Sequence, residues 1–391
     1  MAFPPRVFWA FVLVFWWVGS GAASAGYAVP EGAVFNRPSA AGTGEENTIQ
    51  DRLLTLIRHT PGGAEIKVAI YAWREEAVKD ALLRAHERGV RVKVLMNHAA
   101  DTGSEAIHSK LVGALGEYEP GKESWAAQCV QGWGCLGTGI NHNKFILFSQ
   151  VGTSRNVVVQ SSANLTYHDR IKFWNNAYIA ADAGLYRLYD DYFRRLETGI
   201  GRTTPPDDDE YQMSESGPYR LYTNPYQGPD MLVQELDALR CSPDPARPTR
   251  IRVTALLFNR TELAEKLVSL QDQGCRVHLA FRRLSTEVSD LFQGRLSGVR
   301  RCSGAMTVHS KYMAISTGAG TFEGRIGQKV VFTGSHNYGR AALRNNDETL
   351  LRIVDPRVHR QYEENFDDGP YLRCPEWEKA SVPAPGTDPF A

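Results

Sequence analysis

Apolar residues recur at Ile49, Leu53, Leu54 and Ile57, the face of a helix over residues 47–58 that Pro61-Gly62-Gly63 ends. Residues 66–73 then read as a strand, 75–88 as a helix and 90–96 as a second strand, with Gly89 placed as the helix C-cap. Strand, helix, strand in that order predicts two parallel strands with the helix on one face. The pattern returns at 251–258, 262–273 and 275–281, with Gly274 in the place of Gly89. Ile66 and Gly89 are 23 positions apart, as are Ile251 and Gly274.

A second stretch of correspondence lies further along. Ser162 falls on Ser335, Asn164 on Asn337, Asp182 on Asp355, Tyr189 on Tyr362 and Phe193 on Phe366. The chain is therefore a duplication, with the fold class α/β. The expected division is 26–202 for the first repeat, a linker at 203–217 carrying an acidic run, 218–380 for the second repeat, and a loose tail at 381–391 with three prolines. Duplicated halves pack about a pseudo-twofold axis, which brings equivalent strand ends face to face.

The chemistry-bearing residues are duplicated too. His142 and Lys144 precede one apolar run and His309 and Lys311 another. Residues i and i+2 of a strand share a face, so each His projects beside its Lys. A titratable nitrogen next to a fixed cation suits chemistry on an anionic group such as a phosphodiester. After a second β run in each half come Ser162 with Asn164, and Ser335 with Asn337, whose hydroxyl and amide donors suit a phosphate cradle. His336 lies inside the second cluster and is placed against the pocket.

Composition narrows the setting. Lys and Arg total 44 and Asp and Glu total 44, so the whole molecule is not a polycation built to coat nucleic acid. Arg6, the apolar run 7–18 and Ala23-Ser24-Ala25 read as an export signal over 1–25, giving a secreted product. The six cysteines fit an oxidising compartment; Cys129 and Cys135 are close enough in sequence to close a small ring, and the pairing of the other four stays open.

His-x-Lys followed by Gly-Ser-x-Asn, twice in one chain, resembles the phospholipase D superfamily with its paired HKD motifs. The resemblance covers essentially the whole mature chain and implies two α/β/α halves about a pseudo-twofold axis. It implies a site in which one His attacks phosphorus and the other protonates the leaving alcohol. Lys144, Lys311, Ser162, Asn164, Ser335 and Asn337 would hold the phosphate, with no metal or other cofactor and no obligate protein partner. The pattern departs from the family at Ser149 and Ser316, which stand where the motif Asp is usual, and at Ser161, which stands for Gly. Family members also place a carboxylate soon after Gly-Ser-x-Asn to hold an imidazole. Glu348 fits, and it aligns with Asn175 of the first half. The expected assignment is His142 as neutral nucleophile and His309, paired with Glu348, as general acid.

Substrate class stays open between phospholipid headgroups, a nucleic acid, and binding without turnover. The first half carries an insertion at 101–139 with Tyr118, Trp125 and Trp133. These rings fit a lipid headgroup layer, stacking on unpaired bases, or plain packing beneath the loop. An excess of Arg between Arg276 and Lys311 fits contact with a phospholipid surface or a nucleic-acid backbone.

Overall fold

The computed structural model describes residues 26–38, 43–98, 101–204, 212–304 and 307–378. The expected export signal, the acidic run of the linker from 205 and the tail at 381–391 lie outside the described residues.

Two sheets repeat one strand order. In the first sheet the order is Gly32–Phe35, Asn176–Ala181, Ser154–Ser161, Lys144–Val151, Glu65–Ile70, Arg91–Met96 and Trp125–Gln128. In the second it is Tyr219–Asn224, Glu348–Val354, Lys329–Gly334, Tyr312–Ser316, Arg250–Phe258, Arg276–Leu284 and Gly298–Arg301, with Gln212–Ser216 added outside Tyr219–Asn224. Glu65–Ile70 pairs parallel with Arg91–Met96, and Arg250–Phe258 with Arg276–Leu284. The connecting helices are Glu76–Glu87 and Thr261–Asp272. Gly89 and Gly274 follow them at φ +88° and +95°, a left-handed conformation that glycine adopts without a Cβ clash.

Alternation along the strands divides the core into three layers. In Lys144–Val151, Phe145 and Leu147 face a core shared by both halves, while Ile146 and Phe148 face helices Thr48–Arg58 and Glu76–Glu87. Tyr312 and Ala314 point into the shared core from the second half, and Met313 and Ile315 away from it. The shared core also takes helices Ala183–Thr198 and Pro356–Phe366. Burial on both faces explains why these strands read as near-continuous apolar runs.

Polar ties across the shared layer follow the twofold. Thr349 Oγ1 donates to Gln160 Oε1 at 2.8 Å, and Asn176 Nδ2 donates to Thr333 Oγ1 at 2.7 Å. Gln160 aligns with Thr333 and Asn176 with Thr349, so each position meets the counterpart of its own strand neighbour. Tyr189 and Tyr362 complete the set by donating to Gln160 Oε1 and Thr333 Oγ1.

The six cysteines form three disulfides, Cys129–Cys135, Cys241–Cys275 and Cys302–Cys374, consistent with an exported chain. Among the described residues no helix is long and apolar enough to cross a membrane.

Two readings left open for surface contacts are narrowed by the fold. The 101–139 insertion forms helix Thr102–Leu115 and edge strand Trp125–Gln128, and Trp125 is fully buried. Tyr118 packs edge-on against Trp125 at 5.1 Å, which in turn lies over Phe193 at 6.0 Å. Both rings serve packing, because the edge strand needs an apolar face toward the shared core. In the arginine-rich stretch Arg282 is buried, Arg295 pairs with Asp272 at 2.6 Å, and Arg300 lies over the Tyr371 ring.

Candidate active site

Each histidine is carried to the other half. The backbone at Asn141 bridges Asp347, and the His142 N–H donates to the Asp347 carbonyl at 2.9 Å. On the opposite side Thr307–Val308 pairs with Phe173–Trp174, and the His309 N–H donates to the Trp174 carbonyl at 3.0 Å. Trp174 aligns with Asp347, so the two crossings are twofold-related. The next residues along each partner strand, Glu348 and Asn175, then meet the imidazoles.

The pairing is therefore crossed relative to the sequence expectation. Glu348 Oε1 lies 2.8 Å from His142 Nδ1, and Asn175 Oδ1 lies 2.9 Å from His309 Nδ1. His309 does not pair with Glu348, because the twofold turns each histidine away from the carboxylate or amide of its own half. It meets a carboxylate all the same: Asp169 Oδ1 is 3.1 Å from its Nδ1. Asp169 is held by the Thr166 hydroxyl at 2.7 Å and by Asn164 Nδ2 at 3.2 Å. Its repeat position is Ala342, so a search for duplicated residues passes over it.

Ser162 and Ser335 lie against those same groups. The Ser335 hydroxyl donates to Glu348 Oε2 at 2.5 Å, and the Ser162 hydroxyl donates to Asn175 Oδ1 at 2.8 Å. Each oxygen accepts a backbone N–H, from Thr349 and Asn176 respectively. Each serine hydroxyl is thus engaged by the group that meets a histidine, Glu348 or Asn175, and both side chains are fully buried.

Lys144 Nζ donates to the His142 carbonyl at 2.7 Å and lies 5.3 Å from the centre of the Tyr71 ring. Lys311 Nζ sits 3.1 and 3.2 Å from the two ring nitrogens of His309. Tyr71 walls His142 with ring centres 5.0 Å apart, and Phe173 stacks on His309 at 5.4 Å. Asn164 and Asn337, both half-buried, flank the lysines on the loops after strands Ser154–Ser161 and Lys329–Gly334. His336 does not line the cleft; it is fully buried behind Ser335.

The serines at the motif-Asp positions lie elsewhere. Ser149 is five residues beyond Lys144 on one strand, roughly 17 Å at strand rise. Its Oγ accepts the Glu65 N–H at 2.8 Å, and Ser316 Oγ accepts from Lys329 Nζ at 2.5 Å. Both pin pairs of central strands at the end away from the lysines.

The Asp347 carboxylate ties the Cys129–Cys135 loop to the site by accepting N–H bonds from Cys135 at 2.6 Å, Leu136 at 3.1 Å and Gly137 at 2.6 Å. A Cβ on Gly137 would stand 2.0 Å from the Asn345 carbonyl oxygen, so this approach requires glycine. Among the described residues the one cluster of metal-ligand type is Cys129, Cys135 and Asp347, and its two sulfurs are bonded to each other.

The family model described as cardiolipin synthase, PLD-like domain, matches residues 53–197 and 244–368, once in each half and together more than half of the chain. The chain belongs to the phospholipase D superfamily. Members of this superfamily are phosphodiesterases and phospholipid-modifying enzymes. No curated protein matches the sequence significantly. Among solved structures, phosphatidylserine synthase from Haemophilus influenzae superposes with a TM-score of 0.57 at 12% identity, over 85% of this chain and 86% of that one. Polyphosphate kinase from Porphyromonas gingivalis superposes with a TM-score of 0.54 at 14% identity, over 81% of this chain and 47% of that one. The chain thus spans about half the length of that kinase. Both are likenesses of fold.

Within this superfamily fold, burial and mutual repulsion govern the charges. Burial pushes the His142 imidazole down to about 4, with Glu348 opposing and Lys144 adding to the shift. Burial, Lys311, Lys144, His142 and Arg282 hold His309 well below the usual imidazole range. Burial lowers Lys144 to about 8 against the pull of Glu348 and Asp169, and burial with the Lys144 charge holds Lys311 well below the ammonium range. Burial works to raise Glu348, but His142, His336 and Lys144 together outweigh it and the carboxyl sits at about 2. Four basic groups share one desolvated place, an arrangement that a bound anion relieves.

Stability should follow pH accordingly. An unfolded imidazole takes up its proton near pH 6.5, whereas His142 and His336 do so at about 4 in the fold. At these two rings the unfolded chain binds more protons between these values, so their contribution is full above pH 6.5 and is lost as pH drops toward 4, while Asp347, pushed up to about 7 by burial, works the other way and offsets about one of them. Each imidazole accounts for roughly 3 kcal/mol across the whole interval. Thermal melts from pH 7 to 4 should show a steadily falling Tm; a flat Tm would mean these rings are hydrated in the fold.

Proposed function

We propose that this protein is a secreted phosphodiesterase of phospholipase D type that hydrolyses phospholipid headgroups, and transfers them when an alcohol replaces water. The observation that carries this reading is the crossed pair of oriented imidazoles beside two buried lysines. Glu348 accepts the Nδ1–H of His142, which leaves the Nε2 lone pair to attack phosphorus. The negative charge of the bound substrate favours the doubly protonated His309 ring; the departing alkoxide takes the Nε2 proton, and a phosphohistidine with one remaining ester bond is left on His142. Water or an alcohol then gives its proton to His309 and displaces His142 from phosphorus. Lys144, Lys311, Asn164 and Asn337 hold the non-bridging oxygens, and negative charge moving onto them in the transition state meets fixed cations in a desolvated site. Glu348 offsets the positive charge of the phosphorylated ring, while Asp169 and Asn175 hold His309 through its Nδ1. Export is supported by the three disulfides and by the basic and apolar pattern at the amino terminus. Lipid rather than nucleic acid is supported by the balanced formal charge of the whole chain.

The test is a substrate panel with EDTA present: phosphatidylcholine vesicles, single-stranded and duplex DNA, and RNA, each with the wild type, His142→Ala and His309→Ala. Choline release lost in both variants is the expected result. Cleavage of nucleic acid with inert lipid would move the protein to the nucleases and leave the two-histidine chemistry standing. Activity indifferent to both substitutions would remove the site.

A further inference from the structure

The loop between Cys129 and His142 wraps one carboxylate. Asp347 is fully buried, and its two oxygens accept the N–H groups of Cys135, Leu136 and Gly137. A Cβ on Gly134 would stand 2.7 Å from Asp347 Oδ2, so the chain closes round the carboxylate only with glycine there. The Cys129–Cys135 disulfide, buried as well, closes a ring over a sequence separation of 6 and ends at the first of the three donors.

The same loop also runs along the backbone of the second half. The Gly139 N–H donates to the Asn345 carbonyl at 2.8 Å, and the Asp347 N–H donates to the Ile140 carbonyl at 2.9 Å. Asp347 is therefore gripped at its side chain by residues 135–137 and at its backbone by residues 140 and 142. Glu348 comes next in the chain, with Oε1 at 2.8 Å from His142 Nδ1. Loop, carboxylate, Glu348 and imidazole make one closed circuit, since His142 follows the loop in sequence.

His309 is reached differently. Trp174 stands where Asp347 stands, and its indole lies in the shared core. Cys302 is the equivalent of Cys129: their N–H groups donate to the Phe281 and Met96 carbonyls, at corresponding strand ends. Cys302 is bonded to Cys374, beyond the run that leads to His309. Gly89 precedes His142 by 53 positions, whereas Gly274 precedes His309 by 35. The added residues thus brace the histidine that is given the covalent role, for which the reacting atoms must be aligned at about 3–3.5 Å.

We propose that Asp347 is a positioning residue for the nucleophile and that the Cys129–Cys135 ring acts through it, holding Asp347 so that Glu348 and His142 stay in line with phosphorus. The proposal rests on the two-histidine reading above for the role of His142. It gives the insertion of the first half a part in catalysis rather than in surface contact.

The test is single-turnover release of nitrophenolate from bis(4-nitrophenyl) phosphate by excess protein, which reads attack on phosphorus without phospholipid. Asp347→Asn keeps one acceptor oxygen and turns an NH₂ toward a loop N–H, and should lower the maximal rate about tenfold. Asp347→Ala should lower it about 10²-fold, the scale of a misplacement of about 1 Å. The half-saturating concentration should stay within about twofold in both, because the groups that hold the phosphate remain. Cys129→Ser with Cys135→Ser should repeat the loss. Cys241→Ser with Cys275→Ser, in the outer core of the second half, should leave the rate within about twofold. Tm should rank the two pairs the other way, because Cys241–Cys275 spans 34 residues against 6 and constrains the unfolded chain more.

Solvent exchange of the His142 Nδ1 proton, followed by NMR without substrate, gives a readout free of turnover. It should quicken at least about tenfold in Asp347→Asn and in the Cys129/Cys135 pair, with the His309 ring unaffected. An unchanged rate, unchanged exchange, a raised half-saturation with the maximal rate intact, or losses that follow Tm across the two disulfide pairs would each overturn the proposal. A wild type that releases no nitrophenolate, with proton exchange responding as expected, would sink the two-histidine reading alone.

Discussion

His142→Ala is expected to lower kcat toward any phosphodiester at least about 10⁴-fold, the scale on which loss of a covalent nucleophile is felt. His309→Ala should cost about 10²–10⁴-fold on a substrate with an alkyl leaving group, because proton transfer to the alkoxide is lost. The two variants part company on a nitrophenyl diester. Nitrophenolate leaves without a proton, so the first step recovers in His309→Ala and not in His142→Ala. A burst of nitrophenol followed by slow turnover in His309→Ala is the signature to look for. The same burst in His142→Ala would exchange the two roles. The geometry behind this expectation is the contrast in partners: His142 faces a fully buried carboxylate, whereas Lys311 lies against both ring nitrogens of His309.

Glu348→Gln should have the next largest effect, a fall in kcat of roughly 10³-fold, of the order seen when an imidazole loses its carboxylate partner. Glu348 accepts from His142 and Ser335 and faces Asn346 Nδ2 at 3.4 Å, so its two oxygens are both engaged. An amide retains the shape but supplies no charge opposite the phosphorylated ring, and its NH₂ would face a donor. Asn175→Ala should cost far less, about tenfold, because His309 keeps Asp169 at 3.1 Å. Single-turnover rates on one substrate compare the two variants directly. Equal losses would mean that the carboxylate at Glu348 has no special part, and that the crossed pairing is only architectural.

Much of this was legible in the sequence, because duplication writes itself as spacing. Ile66 to Gly89 and Ile251 to Gly274 each became a parallel β-α-β unit, and the helix-ending glycines took the left-handed conformation. His142, Lys144, His309 and Lys311 could be picked out because each His-x-Lys lies at the start of an apolar strand. The partners of those groups were another matter. Alignment says that Glu348 and Asn175 are equivalent, but not which histidine each one faces. His142 and Glu348 are 206 residues apart, and only the twofold crossing brings them together. Asp169 was hidden for the opposite reason: it has no counterpart, so reasoning from repeats selects against it. The partners of Ser162 and Ser335 were not legible, since a hydroxyl's single proton can go to a carboxylate or an amide oxygen as readily as to a phosphate. Of the three readings open for the rings of the insertion, packing holds for Tyr118 and Trp125, because Trp125 lies on an edge strand whose inner face is core.

The most direct test of the account is to trap the covalent intermediate. A labelled phosphodiester mixed with His309→Ala, quenched at high pH within one turnover and mapped by peptide mass, should place the phosphoryl group on His142. The label should be absent from the double variant lacking both histidines. Label on His309 in the wild type would exchange the two roles; label on neither histidine, or turnover with no trapped adduct in any variant, would contradict the two-histidine mechanism.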